Sequence, residues 1–358
     1  MNDESLALLK KLSELDGVSG FENRVRDCLR DELDGLAEFE TDNLGSLICK
    51  KTGSSAEPRI MLPAHMDEIG FMVKDITDEG FIRFAPLGGW LDQTLLGHTV
   101  TVKTANGELP GVIGCTPPHL MPRDERKKVI ERKTMFIDIG ARDKKHAQEE
   151  LGVRIGNPII PRQPFERMAD DKYLLGKAWD DRVGCALIVD IVKQLQHEEH
   201  PNTVFAVGTT QEEVGVRGAK TAVDVVDPHF CVVLDVGIVT DTPGIKDEPK
   251  SELGKGPLIY VQDGGTIAHH RFNEFVLAQA NAEGIPYQLS LLEQGSTDAR
   301  AIHVHARGVP SVLVGIPARY IHSHAGVIHT DDYDATLHLL LAIVRALSAQ
   351  EAASLISM

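Results

Sequence analysis

The sequence predicts an α/β protein in which helices cover a mostly parallel sheet and a β-rich segment interrupts the chain. Three observations carry this. First, four apolar runs are short enough to be strands buried on both faces. Second, each leads to a histidine or an acid: R-I-M-L-P-A-H-M-D to His65 and Asp67, T-V-F-A-V-G-T-T-Q-E-E-V-G to Glu212 and Glu213, H-F-C-V-V-L-D to Asp235, and P-S-V-L-V-G-I with P-A-R-Y-I-H to His322. Third, the texture changes to short alternating runs between about Phe71 and Arg162. Open parallel sheets bind ligands at the carboxyl ends of their strands. The four runs therefore deliver their polar residues to one convergent site.

In chain order, residues 4–15 and 22–36 read as amphipathic helices broken by D-G-V-S-G. Thr41 to Lys51 and Arg59 to His65 read as strands. Within the β-rich segment, T-A-N-G-E at 104–108 contains Asn-Gly, a strong hairpin signal, and one short helix is expected near 143–151. After Pro161 the α/β pattern resumes with W-D-D-R-V-G-C-A-L-I-V-D-I-V-K-Q-L, a helix whose apolar positions include 183, 187, 191 and 195. Asp180 or Asp181 is its expected N-cap. A Gly/Pro-rich loop covers 237–257. A helix is expected over about 268–283, strands near 286–292 and 311–316, and a last amphipathic helix over 331–349.

Composition narrows the function. The 358 residues allow two domains, or one large domain with an insertion. With 53 acidic and 37 basic residues the formal charge is −16, which argues against nucleic acid or an anionic membrane as partner. The five cysteines, Cys28, Cys49, Cys115, Cys185 and Cys231, are scattered and odd in number, so a reducing cytoplasm is expected. The start M-N-D-E-S-L-A-L-L-K-K reads as a helix rather than a signal peptide. No stretch approaches the roughly 18 apolar residues of a membrane span.

Taken singly, each polar residue has an ordinary explanation as a cap or a solvated side chain. Together they have a chemical one. His65, Asp180, Glu213, Asp235 and His322 supply two imidazoles and three carboxylates, a donor set for two zinc-like divalent ions with one bridging carboxylate. Asp180 is the natural bridge, because Asp181 can cap the helix. Asp67, two residues after His65 on the same side of an extended segment, is expected to accept the second imidazole proton and fix that ring. Glu212 is the acid left over, and an unligated acid beside the attacking water is a general base.

These residues lie in stretches that resemble the M42 family of metallo-aminopeptidases, which includes tetrahedral and glutamyl aminopeptidases and some proteins labelled endoglucanases. The resemblance rests on S-G-F-E-N-R-V-R at 19–26, A-H-M-D-E-I-G at 64–70, L-G-G-W at 87–90 and I-D-I-G-A at 137–141. It continues through W-D-D-R-V-G at 179–184, Q-E-E-V-G-V-R-G-A at 211–219, L-D-V at 234–236 and T-D-T-P-G at 240–244. L-G-K-G-P at 253–257, T-D-A at 297–299 and R-Y-I-H-S at 319–323 complete it. The resemblance implies metal ligands at His65, Asp180, Glu213, Asp235 and His322 and a catalytic base at Glu212. It implies an α/β/α sandwich catalytic domain of the dinuclear-zinc peptidase type, 1–70 and 163–358, with an inserted barrel-like dimerisation domain, 71–162. It also implies hydrolysis of N-terminal residues from short peptides through a metal-bridged water, two zinc or cobalt ions, and dimers assembling into a tetrahedral dodecamer. Two departures lie beside the site: Gln294-Gly295-Ser296, where the family carries two glycines, and H-S-H-A-G at 322–326, where relatives carry Pro and Glu.

Three rival readings fit the sequence less well. Dinuclear carboxypeptidases and deacylases place their second domain after the Glu-Glu pair, whereas here the insert lies between His65 and Asp180. A glycoside hydrolase would use paired acids but leaves both histidines idle, and two Trp and five Tyr are few for sugar platforms. A non-catalytic metal protein has no use for an unligated Glu212.

Overall fold

The computed structural model describes residues 1–245 and 250–356. Part of the Gly/Pro-rich loop, 246–249, lies outside the described residues. The chain opens with helices α1 (Asp3–Glu14) and α2 (Asn23–Glu32), followed by strands β1 (Glu38–Thr41), β2 (Leu47–Thr52) and β3 (Arg59–His65). The stretch expected as one strand, Thr41 to Lys51, is a hairpin. Asp42 makes the turn by accepting the amides of Leu44, Gly45 and Ser46 on one carboxylate oxygen at 2.7–2.9 Å.

Six strands then form a closed barrel: β4 (Gly70–Ile76), β5 (Ile82–Leu87), β6 (Thr99–Thr104), β7 (Gly107–Gly114), β8 (Phe136–Asp138) and β9 (Pro158–Pro161). The Asn-Gly hairpin joins β6 to β7, with Thr104 opposite Gly107. The alternating residues close on a core of their own that includes Phe71, Val73, Phe84, Val100, Val102, Ile113 and Ile159. Closure removes the edges that an isolated sheet would expose.

After the barrel come β10 (Glu166–Arg167), β11 (Tyr173–Gly176), helix α3 (Trp179–Gln194), β12 (Thr203–Thr209), α4 (Arg217–Val226) and β13 (Phe230–Ile238). The chain ends with β14 (Leu258–Gln262), α5 (His270–Ala282), β15 (Gln288–Leu291), the short α6 (Ala299–Ile302), β16 (Ser311–Arg319), β17 (Gly326–His329), α7 (Thr330–Ala346) and α8 (Ala349–Ile356). The last helix expected over 331–349 is α7, and a further short helix that was not expected, α8, follows it at a bend of 94°. Ser348 caps α8 by accepting the Glu351 amide.

Among the described residues, the large sheet runs β1-β2-β12-β3-β13-β16-β17-β11-β10, with β14 on β16 and β15 on β14. At its centre β12, β3, β13 and β16 are parallel. Alternate residues explain the apolar runs. Ile60, Leu62, Val204, Ala206, Val232 and Leu234 face the core under α1, α3, α5 and α7. Met61, Phe205, Val207, Cys231 and Val233 face a second core under α4 and α6. A sheet covered on both faces needs apolar residues at every position. The result is a three-layer α/β/α sandwich with an inserted barrel, and the C-terminal ends of the four central strands share one edge. No single helix among the described residues is long and apolar enough to cross a membrane.

Candidate metal centre

The segment Trp179–Gly184 builds the middle of the site. Asp180 and Asp181 depart from helical geometry inside α3, so the two carboxylates diverge. Asp181 turns inward and is fully buried. Its Oδ1 accepts the Gly184 amide at 3.0 Å and its Oδ2 accepts the His65 amide at 3.2 Å. It therefore caps the helix and ties it to the end of β3. A side chain at Gly184 would lie 2.5 Å from that carboxylate, which explains the glycine. Arg182, also fully buried, donates to the carbonyls of Met66, Leu12, Leu15 and Gly17 at 2.7–3.2 Å. It locks α1 to the turn after β3. Beside it Lys177 donates to both carboxylate oxygens of Glu68 at 2.6 and 2.7 Å.

Asp180 faces the sheet edge between two histidines. His65 Nε2 lies 2.8 Å from its Oδ1, and His322 Nε2 lies 3.5 Å from its Oδ2. Both imidazoles are held from behind by a carbonyl. His65 Nδ1 donates to the Asp67 carbonyl at 3.0 Å, and His322 Nδ1 donates to the Gly89 carbonyl at 2.8 Å. A carbonyl can only accept, so each ring presents Nε2, the atom that a metal would take, toward Asp180. Gly89 belongs to the loop after β5, so the inserted segment reaches the site. The adjoining Trp90 anchors that loop, donating to the Gly70 carbonyl at 3.1 Å and stacking on Phe71.

The candidate ligand atoms form two groups, each with its members within 4.8 Å of one another: His65, Asp180 and Asp235, and Asp180, Glu213 and His322. Asp180 is common to both. This brings together all five residues singled out from the sequence. Glu212 lies between the same walls, lining a cavity with Asp180 and Asp235, whereas Glu213 lines a different one with Asp180 and His322. The two adjacent glutamates therefore point into separate spaces. A turn at the end of β12 makes this possible: Gln211 is left-handed, and Gly215 and Val216 both donate to the Glu212 carbonyl at 2.9 and 2.8 Å.

The Asp67 carboxylate does more than expected. Its nearest oxygen is 3.5 Å from His65 Nδ1, beyond the backbone carbonyl that the ring prefers. It also accepts from Ser19 Oγ at 2.6 Å and from the amides of Glu212 and Glu213 at 2.9 and 3.2 Å. Asp67 thus fixes the backbone that aims both glutamates. Glu22 helps, accepting the Gln211 amide at 3.0 Å. Nothing in the sequence assigns Ser19 and Glu22 these roles beyond their place in the S-G-F-E-N-R-V-R stretch.

Electrostatics fit a cation site. Burial, and next the charge of Asp180, push Glu213 up to about 8. Burial likewise raises Glu212 and Asp235 well above the carboxylate range. The hydrogen bond to Asp180 raises His322 to about 10. Burial opposes the charge on His65, but Asp180 and Asp67 outweigh it and raise that ring too. Glu213 Oε1 is buried with no hydrogen-bond partner in the protein. Crowded, desolvated carboxylates with an orphaned oxygen need positive charge, and an imidazole–carboxylate set suits zinc-like ions. The residues present fit two such ions.

The sheet, the barrel and two candidate ligand groups sharing one carboxylate are the architecture of a metal-dependent hydrolase. A family model described as M42 glutamyl aminopeptidase matches residues 45–339, and the chain belongs to the M42 peptidase family. It is 35% identical to the glutamyl aminopeptidase of Lactococcus lactis subsp. cremoris over 350 residues, covering 97% of this chain and 98% of that protein. It is 34% identical to the lysyl aminopeptidase of Pyrococcus furiosus over 349 residues, covering 96% and 98%. Among solved structures, the TET aminopeptidase of Thaumarchaeota archaeon SCGC AB-539-E09 superposes with a TM-score of 0.96 at 41% identity over 99% of each chain. The TET1 peptidase of Pyrococcus horikoshii, described as assembling into a tetrahedron or a large octahedral shell, gives 0.86 at 34% identity, covering 96% of this chain and 100% of that one.

Proposed function

We propose that this protein is a metal-dependent aminopeptidase that removes N-terminal residues from short peptides. The observation that carries the reading is Asp180, with one carboxylate oxygen toward each histidine. His65, Asp180 and Asp235 would hold one divalent ion, and Asp180, Glu213 and His322 the other, with zinc or cobalt matching the donors. Held there, such ions would supply Lewis acidity for the scissile carbonyl and the attacking water. Glu212, left without a ligand role, takes the proton from that water and returns it to the leaving amine. Asp67 holds Glu212 in position through its backbone amide. The acidic walls of the site favour a free, protonated α-amino group, which restricts cleavage to the first residue.

Chelated and then metal-restored protein should cleave free peptides and leave N-acetylated ones intact. Equal cleavage of both, monitored by product chromatography, overturns the aminopeptidase reading.

We also assign 1–70 and 163–358 to the catalytic domain and 71–162 to an inserted dimerisation domain whose dimers build a tetrahedral dodecamer. The assembling TET1 relative supports this. So do the apolar side chains of Leu91, Leu120 and Val129, which are exposed on the inserted segment. Light scattering should give the mass of twelve chains, and a monomer at micromolar concentration would contradict the assembly.

A further inference from the structure

Among the described residues, two cavities border the site, and one of the two can hold a side chain. The cavity beside Glu213 has a free volume of about 30 Å³, little more than one water. The cavity beside Glu212 and Asp235 has about 420 Å³, within the range of small-ligand pockets. It opens directly from Asp180, Asp235 and His322, where the α-amino group and carbonyl of a substrate would sit. On the reading above, it receives the side chain of the residue being released.

Its walls are mostly hydrocarbon: Val236 and Ile238 from β13, Tyr260 from β14, Leu313 from β16, and Leu292 and Ile321 from loops. Gln294, Ser296 and Thr297 add neutral polar groups. Among the described residues, no lysine or arginine lines it. Its one acid outside the candidate ligands and Glu212 is Asp263, only 5% exposed. That carboxylate is already engaged by the Gly265 amide at 2.7 Å and the Thr297 hydroxyl at 3.4 Å. It clasps two loops that meet backbone to backbone: a side chain at Gly264 would lie 2.5 Å from the Gly295 carbonyl. The departure at Gln294-Gly295-Ser296 therefore sits in the pocket wall.

We propose that this pocket selects leucine, methionine or phenylalanine at the peptide N-terminus and rejects glutamate and aspartate. An acidic side chain would lose its water without gaining a cation and would face the charge of Asp263. A lysine would bring its ammonium among hydrocarbon walls, with the acids of the cavity gathered at the candidate metal site or, as Asp263, held by loop contacts, which places it between the two. An unbranched or γ-branched apolar side chain buries its surface at no such cost. The names of the relatives do not decide this, because glutamyl and lysyl enzymes are about equally similar to this chain.

The inference rests on the aminopeptidase reading, and its test separates the two. With metal-loaded full chain, kcat/KM for leucyl, methionyl and phenylalanyl p-nitroanilides should exceed that for the glutamyl and aspartyl substrates at least about tenfold, with lysyl between. Binding of leucine and glutamate hydroxamates, read by calorimetry without turnover, should show the same order. If glutamyl, aspartyl or lysyl compounds are preferred, the proposal fails while the aminopeptidase reading stands. If no p-nitroanilide is cut, the aminopeptidase reading fails, and the hydroxamate order still decides the pocket. Gln294→Arg places a cation on the exposed rim and should raise the glutamyl-to-leucyl ratio about fivefold or more. An unchanged ratio would show that this cavity does not receive the side chain.

Discussion

Glu212→Gln is expected to lower turnover by roughly 10²–10⁴-fold, the usual contribution of a general base, while metal content stays near that of the unaltered protein. The amide keeps the size of the side chain and removes its basicity. The backbone that aims it is untouched, because Asp67 holds residues 212 and 213 through their amides rather than their side chains. Glu213→Gln is expected to behave differently. Its carboxylate belongs to the group with Asp180 and His322, so its loss should reduce occupancy of one ion. Elemental analysis beside steady-state kinetics separates the two residues. Loss of metal from Glu212→Gln with retention in Glu213→Gln would reverse their roles.

Asp180→Ala is expected to lose both ions on dialysis. Its two carboxylate oxygens serve two ligand groups, and two cations held about 3.5–4 Å apart repel each other unless a shared anion lies between them. His65→Ala and His322→Ala each remove a donor from one group only and should weaken one ion. The helix itself should survive Asp180→Ala, because Asp181 and not Asp180 makes the cap. Far-ultraviolet circular dichroism and metal content measured on the same sample distinguish ligand loss from unfolding. An Asp180→Ala protein that keeps both ions would refute the shared ligand.

The parts of this structure that could be read from the sequence are those set by local pattern. Arg59–His65 is a strand with the expected bounds, because an apolar run between polar flanks has no competing period. The convergence of His65, Asp180, Glu213, Asp235 and His322 was legible because parallel strands expose the same end. The cap at Asp181 was legible from its place before the apolar period. What was missed depends on distant partners or on short turn signals. The hairpin at Asp42–Ser46 looked like a continuous strand because its turn is made by one carboxylate rather than by a Gly-Pro pair. The short helix α8 was missed although S-A-Q-E at 348–351, a Ser-x-x-Glu cap, signals its start. The position of Asp67 after His65 suggested a partner for that ring, but not that its carboxylate also binds amides 145 and 146 residues away. No spacing rule reaches that far. Gly89 behind His322, 233 residues away, is the same kind of contact.

The central claim is that one carboxylate joins two ions. It is tested most directly by anomalous scattering from crystals of the zinc-loaded protein. Two peaks about 3.5–4 Å apart are predicted, one beside His65 and Asp235, one beside His322 and Glu213, with Asp180 between them. A single peak, or two peaks that Asp180 does not connect, would contradict it.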